Sequence, residues 1–253
     1  MNRTKNLWRL SFALAKTQFK LKNEGSYLGI FWYLLNPLLM FILLLLIFSD
    51  RLGSQIHFYP LYLLLGIIMF NFFQQATTES TKAIMGSYSP IIKSINFPKE
   101  SLIISTILKN IYSHIFEIIL FVILSLILGA PLTGLIFYPL ILIFFCVFIF
   151  GCCLIFSALT VYFVDLDNIW NFLVRVIWFA TPIFYDIGGQ TKLFYLNLFN
   201  PVYYYITITR DLVIYTKIPE LWLVIGAATY SLLFLVLGLL IFNRLKNKFA
   251  ELI

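Results

Sequence analysis

Charge is scarce in this chain: of 253 residues only 11% are Asp, Glu, Lys or Arg, against 61% that are apolar. A water-soluble globule of this length does not carry that balance. Nucleotide and hydrolase motifs are missing too. With no G-x-x-x-x-G-K-[ST] there is no loop to cradle phosphates, so the chain is not expected to hydrolyse ATP by itself. H-E-x-x-H and G-x-S-x-G are also absent, and no paired-carboxylate cluster falls in a plausible polar pocket. Cysteine is confined to Cys146, Cys152 and Cys153, within one apolar segment and without His or acidic companions. That pattern argues against a zinc site or a disulfide framework and leaves small packing or lipid-facing residues. The first 24 residues lack a continuous apolar core and hold Arg3, Lys5, Arg9, Lys16, Lys20 and Lys22. No cleavable signal peptide is expected, and the first span should insert as an uncleaved anchor.

What the chain does have is length that dissolves in lipid. One crossing takes roughly 20 mostly apolar residues, and apolar runs occupy about 28–48, 60–81, 102–128, 135–163, 168–184 and 220–242. Only helices satisfy their own backbone in hydrocarbon at these lengths. The reading is an all-α integral membrane protein with six transmembrane helices, one domain over 1–253, with no length left for a folded soluble domain. The formal charge of +7 is gathered at span ends and termini, which speaks for membrane orientation over nucleic-acid binding. With a cytoplasmic N-terminus, the inside segments carry the six basic residues named above, Lys82, Lys93, Lys99, Arg244, Lys246 and Lys248. The outside segments carry Arg51, Lys192, Arg210 and Lys217. That asymmetry puts both termini in the cytoplasm.

The segment 185–219 is aromatic enough to suggest a seventh span. Its halves are each too short for roughly 30 Å of hydrocarbon, and Arg210 and Asp211 would sit where charge is costly. Two short re-entrant helices on the outer face, joined near Asn200 and Pro201, are expected, with an interfacial aromatic loop as the alternative. In residues 1–24, Lys5, Arg9, Lys16 and Lys20 fall on one side of a helical wheel, and Leu7, Leu10, Leu14 and Leu21 on the other. Such a helix lies on the anionic cytoplasmic leaflet.

Polar groups within the runs are Asn71, Gln74, Gln75, His114, Glu117 and Arg175. His114 and Glu117 share a helix face and could serve proton coupling. Bonding a neighbouring helix is the expected role, because no inverted repeat surrounds the pair. Arg175, about two turns into its run, either snorkels to the cytoplasmic surface or meets an anionic head group.

The stretch from Ser26 to Leu38 (SYLGIFWYLLNPL) is more specific than hydropathy. It resembles the first-span motif of permease subunits of ABC-type exporters for cell-surface polysaccharides, with Ser26, Leu28, Gly29, Trp32, Asn36 and Pro37 in register. Asn96-Phe97-Pro98-Lys99-Glu100, Asp165-Leu166-Asp167, Thr181-Pro182-Ile183, and Asn200-Pro201 with Arg210 extend the resemblance along the chain. Where the family usually has Arg before its Asp-Leu pair, this chain has Val164.

The resemblance implies a homodimer bound to two cytoplasmic ATPase subunits that hold ATP and Mg, the permease itself binding no cofactor and no metal. It also implies a lipid-linked glycan as cargo, on undecaprenyl diphosphate, crossing the bacterial inner membrane between the two permease copies. An exporter of teichoic acid, capsule, drugs or other lipids on the same scaffold is the alternative, with a membrane enzyme acting on polyprenyl lipids ranked behind it because Asp165 and Asp167 are the only close acidic pair. Contacts with the ATPase would come from the coupling segment 84–100, through Ser87, Tyr88, Ile91, Lys93, Phe97, Pro98, Lys99 and Glu100, and from Asp165 and Asp167. Because each unpaired sugar hydroxyl is costly in hydrocarbon, an aromatic path suits such a cargo. The candidates are Trp32, Tyr33, Phe70, Phe73, Trp170, Trp178 and Tyr185, with Arg175 beside them. Belts of interfacial aromatics are the competing explanation.

Overall fold

The computed structural model describes residues 3–24, 27, 29–53, 56–86 and 97–252, with the backbone alone for 3–5, 250 and 251. The described residues are helical and contain no strand. In chain order the helices are α1 (Arg3–Asn23), α2 (Trp32–Leu52), α3 (Tyr59–Thr81), α4 (Glu100–Ile127), α5 (Tyr138–Thr160), α6 (Leu166–Ala180), α7 (Thr191–Leu198), α8 (Pro201–Val213), α9 (Leu221–Leu245) and α10 (Phe249–Leu252). Among the described residues five helical segments are long and apolar enough to cross a membrane: Gly29–Leu52, Tyr59–Thr81, Glu100–Ile127, Thr133–Thr160 and Leu221–Lys248.

α3 is the central helix. Leu61, Leu64, Ile68, Phe72 and Ala76 are shielded from every side, as befits a helix without a consistently polar face. Its first turn takes Pro60 at a position where no backbone donor is required, following Phe58 in the left-handed region at φ 53°. Around it stand α2, α4, α5, α6 and α8. α2 buries one stripe, Tyr33, Pro37, Phe41 and Leu44, while Leu39, Leu43 and Leu46 face outward. Outward apolar surface of this kind is solvated by lipid, not water.

α4 is built the other way round. Ser101, Ser105, Lys109, Ser113, Glu117, Phe121 and Ser125, four residues apart, are all buried, whereas Ile115, Ile119, Ile123 and Leu126 are exposed. In a bilayer this is the expected sense: polar and small side chains face neighbouring helices and branched apolar ones face the acyl chains.

The closest crossing joins α5 to α9. A Cβ added at Gly151 would run into the backbone of Phe234, and one at Gly238 into the carbonyl oxygen of Gly151. Neither neighbour is a flexible side chain, so the backbones must separate. Gly151→Val is expected to cost at least the ~1–3 kcal/mol typical of overpacking and to lower the melting temperature of the detergent-purified protein. Gly189→Ala, where an added Cβ meets nothing within 4 Å, should leave it unchanged.

Two elements differ from the sequence expectation. The run 168–184 is a helix only over Leu166–Ala180, after which Thr181 is extended at φ −79°, ψ 135°. Pro182 explains the stop, since it disfavours helical backbone in the residue before it. Fifteen residues reach about 22 Å, short of the roughly 30 Å hydrocarbon layer. The other difference lies in α1. Its buried positions are Ser11 and Ala15, with Leu7, Leu14, Gln18 and Phe19 half-buried and Leu21 exposed. α1 lies along α4, where Gln18 Nε2 donates to Ser105 Oγ at 3.2 Å, and small residues permit that close approach. Arg9, Lys16 and Lys20 remain exposed.

Because α2 to α6 alternate in direction, the molecule has two distinct ends. The α1 end gathers the C-terminal turns of α3 and α9 with the first turns of α4 and α6. The opposite end holds the start of α3, the end of α6, and α7 and α8.

Candidate coupling and translocation sites

At the α1 end, the Phe-Pro-Lys-Glu run is clasped to the C-terminal segment. Lys99 Nζ donates to the Lys246 carbonyl at 2.6 Å and lies 5.3 Å from the Phe249 ring centre. Lys246 Nζ returns the contact by pairing with Glu100 Oε1 at 2.5 Å. Burial holds the Lys99 ammonium below the ordinary lysine range; Glu100 opposes that and Lys246 adds to it. Ser87, Tyr88, Ile91 and Lys93 lie outside the described residues, as do Ser26 and Leu28 of the first-span motif. Asp165 is exposed. Asp167 is turned inward in the first turn of α6, accepting from Thr81 Oγ1 at 2.6 Å and from Asn171 Nδ2 at 3.2 Å, with Lys82 Nζ at 3.2 Å. Its carboxylate ties α6 to the end of α3.

Between α1, α2, α3 and α4 a polar cleft of about 360 Å³ includes Lys22, Trp32, Tyr33, Asn36, Glu79 and Glu117 in its lining. The Tyr33 ring lies between Phe19 and Phe116, at 5.6 and 6.4 Å between centres, and its buried hydroxyl has no hydrogen-bond partner among the described residues. One wall is an ion cluster: Glu79 meets Lys109 at 2.6 Å, Asn110 at 2.7 Å and Lys22 at 3.2 Å. Deeper in, His114 Nδ1 is bonded to Glu117 at 2.9 Å, and its Nε2 to the Tyr138 hydroxyl on α5. The pair therefore bonds a neighbouring helix.

Lys109 and Glu79 were missing from the polar groups that the apolar runs suggested. The available signal was simple: both are ionisable residues inside apolar runs, each a candidate on that ground alone.

At the opposite end the organising residue is Arg210 on α8. It is 3% exposed, and its guanidinium donates to three backbone carbonyls: Tyr62 (from Nε at 3.2 Å and Nη2 at 2.9 Å), Ile183 (Nη2, 2.8 Å) and Pro182 (Nη1, 2.6 Å). It also covers the Tyr62 ring at 3.3 Å, and Gly66 clears the space, because a Cβ there would meet Nη2. α3, the end of α6 and α8 thus converge on one side chain. Asn200 caps α8, accepting from Val202 N at 3.2 Å and donating to Thr181 Oγ1 at 2.7 Å, while Pro201 occupies the first helical position. The charge that made a membrane position for 210 look costly is compensated by carbonyl dipoles rather than by an acid.

The aromatic candidates divide in three. Phe70, Phe73 and Trp170 belong to the core of the chain, Phe73 lying edge-on to Trp170 at 6.1 Å and Trp170 against Phe156 at 3.9 Å. Trp32 and Tyr33 border the cleft at the α1 end. Trp178 and Tyr185 stand partly exposed at the other end, Tyr185 donating to the Ala180 carbonyl at 2.8 Å. Arg175 is exposed on α6, next to an outward apolar stripe that includes Phe172, Val176 and Phe179. Within the single chain these residues do not line a common path.

Residues 9–214 match the family described as ABC-2 type transporter. Among curated proteins the chain is similar to the O-antigen export system permease protein RfbA of Klebsiella pneumoniae, 28% identical over 250 residues that cover 98% of this chain and 96% of that one. It is also similar to the protein of the same name from Myxococcus xanthus, 23% identical over 246 residues, or 96% and 94% of the two chains.

Proposed function

The chain belongs to the ABC-2 type transporter family, and from that premise we propose that it is the membrane-spanning subunit of an ATP-driven exporter of a lipid-linked O-antigen-type polysaccharide. The observation that carries the cargo is end-to-end similarity to two O-antigen export permeases. In this reading two copies form the translocation path between them, and two cytoplasmic ATPase subunits supply ATP and Mg. The glycan is attached to undecaprenyl diphosphate.

The α1 end faces the cytoplasm. Support comes from its basic content: Arg9, Lys16, Lys20, Lys22, Lys82, Lys99, Arg244, Lys246 and Lys248 gather there, as the positive-inside rule asks. α6 with the non-helical 181–184 segment makes a sixth crossing, and α7 and α8 are re-entrant elements returning to the outer face. The short length of both helices and the carbonyl cage around Arg210 support that placement, since irregular backbone at membrane depth needs its polar groups met by protein. The Lys99–Lys246–Glu100 clasp would fix the end of the coupling segment, so that movement of the ATPase reaches α4 and α9 together.

The test is genetic and biochemical. Deleting the gene should leave lipid-linked glycan inside the cytoplasmic membrane and none at the surface, with recovery on complementation. The purified chain should bring down a separately encoded ABC ATPase. Normal surface glycan in the deletion strain, or failure to associate with any such ATPase, would rule the reading out.

A further inference from the structure

At the end opposite α1 lies a second cleft, of about 440 Å³, between the start of α3, the 182–188 connection, α7 and α8. Its volume is within the ~300–1,000 Å³ of ordinary small-molecule sites. We propose that this cleft is a saccharide-binding subsite that takes a neutral sugar unit, with the Asp186 and Asp211 carboxylates accepting from ring hydroxyls and Phe194 offering an apolar face.

The composition of the cleft carries the inference. Acid is rare in this chain, with 11 Asp and Glu in all, and several of those acids are committed to protein partners: Glu79 to Lys109, Glu100 to Lys246, Glu117 to His114 and Asp167 to Thr81. Asp186 and Asp211 both line this cleft, and among the described residues neither carboxylate takes part in an ion pair or a hydrogen bond. Opposite charge is present but tied up. Four of the five N–H groups of Arg210 go to carbonyls, which leaves one Nη1 N–H without a carbonyl on a side chain that lines the cleft. Thr207 adds a hydroxyl, and the Phe194 ring is 37% exposed.

Charge then selects the ligand. An anion would meet two carboxylates, whereas the Arg210 guanidinium, which interacts electrostatically with both Asp186 and Asp211, offsets part of their charge and repels a bare cation. A neutral polyol suffers neither repulsion. Its hydroxyls donate to the carboxylates and accept from the remaining N–H and from Thr207, while the C–H face of a sugar ring suits an exposed aromatic ring. The inference rests on the glycan-exporter reading and adds to it a contact made by one protomer at the outer end, distinct from a path between two.

The experiment uses the full exporter in cells. p-Benzoylphenylalanine is placed at Phe194, with Leu232, an exposed residue on the outward face of α9, as the control position. After irradiation the purified permease is probed for covalent glycan by periodate oxidation and hydrazide-biotin. The expected result is a glycan adduct at 194 and none at 232, reduced at least fivefold by Asp186→Asn with Asp211→Asn at equal protein level, and abolished when the ATPase subunit is inactive. Three outcomes would overturn the subsite: no adduct at 194 while surface glycan is exported normally, equal adducts at both positions, or an adduct insensitive to the Asn substitutions. An acid-dependent calcium signal on the purified complex, with no adduct at 194, would make the cleft a cation site and refute the proposal. Loss of the exporter reading itself shows differently, as normal surface glycan in cells that lack the gene.

Discussion

Replacing Arg210 by alanine is expected to remove the protein from the membrane fraction or leave it unable to keep its outer end assembled. The substitution leaves the carbonyls of Tyr62, Pro182 and Ile183 without their charged donor. Pro182 keeps the Tyr62 hydroxyl at 3.3 Å and the Tyr62 carbonyl keeps its place in the α3 ladder, so the Ile183 carbonyl is the group left without a donor, at about 1–3 kcal/mol. The charged bonds to the other two and the stacking on Tyr62 are lost as well. That loss is a sizeable fraction of the stability of many folded domains, about 5–15 kcal/mol. Arg210→Lys keeps the charge but not the planar fork, so it should retain part of the thermal stability and less of the export. Fluorescence-detected size exclusion with a heating series reads the first effect, and surface glycan the second. Gly66→Ala, which pushes a methyl group into the same guanidinium, should produce a milder version of the same loss. If Arg210→Ala melts like the unsubstituted protein, the hub is not what joins α3, α6 and α8.

The second large effect is expected at Glu79. Its carboxylate is the acid that holds Lys109 at 2.6 Å, and the Lys109 side chain is only 10% exposed. Glu79→Leu strands that ammonium in a low-dielectric site, and breaking a buried pair from one side costs about 3–5 kcal/mol. Lys22 contributes less, because at 39% side-chain exposure solvent screens most of its share. Glu79→Leu with Lys109→Leu should recover much of the lost melting temperature, since removing both charges removes the uncompensated one. A double-mutant cycle on melting temperatures checks this. Additive losses would mean that the two residues do not act as a pair.

Several local features were legible in the sequence for physical reasons that stay local. Pro60 and Pro201 mark helix starts, and Asn200-Pro201 reads as a cap followed by a first helical residue. Hydropathy located the apolar runs to within a few residues, except where Pro182 cut one short. Other features were legible only in part. His114 and Glu117 are neighbours on one helix, so a wheel brings them together, but Tyr138, the group that completes their chain, lies on another helix. Glu79 and Lys109 are on different helices, and no spacing rule joins them. For the same reason Asp167 reads from sequence as an exposed loop acid, whereas it is bonded to Thr81.

The same division runs through the whole protein. The sequence by itself determined that the chain is helical and belongs in lipid, because one solvent property, the cost of an unpaired polar group in hydrocarbon, acts residue by residue and needs no knowledge of neighbours. It also marked the basic end, since positive charges near span ends act singly. Only the tertiary structure decided which polar residues are partners and which remain available for a ligand. Arg210 reads as a stray outer charge until three carbonyls from two other segments surround it, and Asp186 and Asp211 line one cleft only because the 182–188 connection and α8 are brought together. Such contacts depend on how helices cross, which is set by close approaches such as Gly151 on Gly238, and those are properties of the assembled bundle.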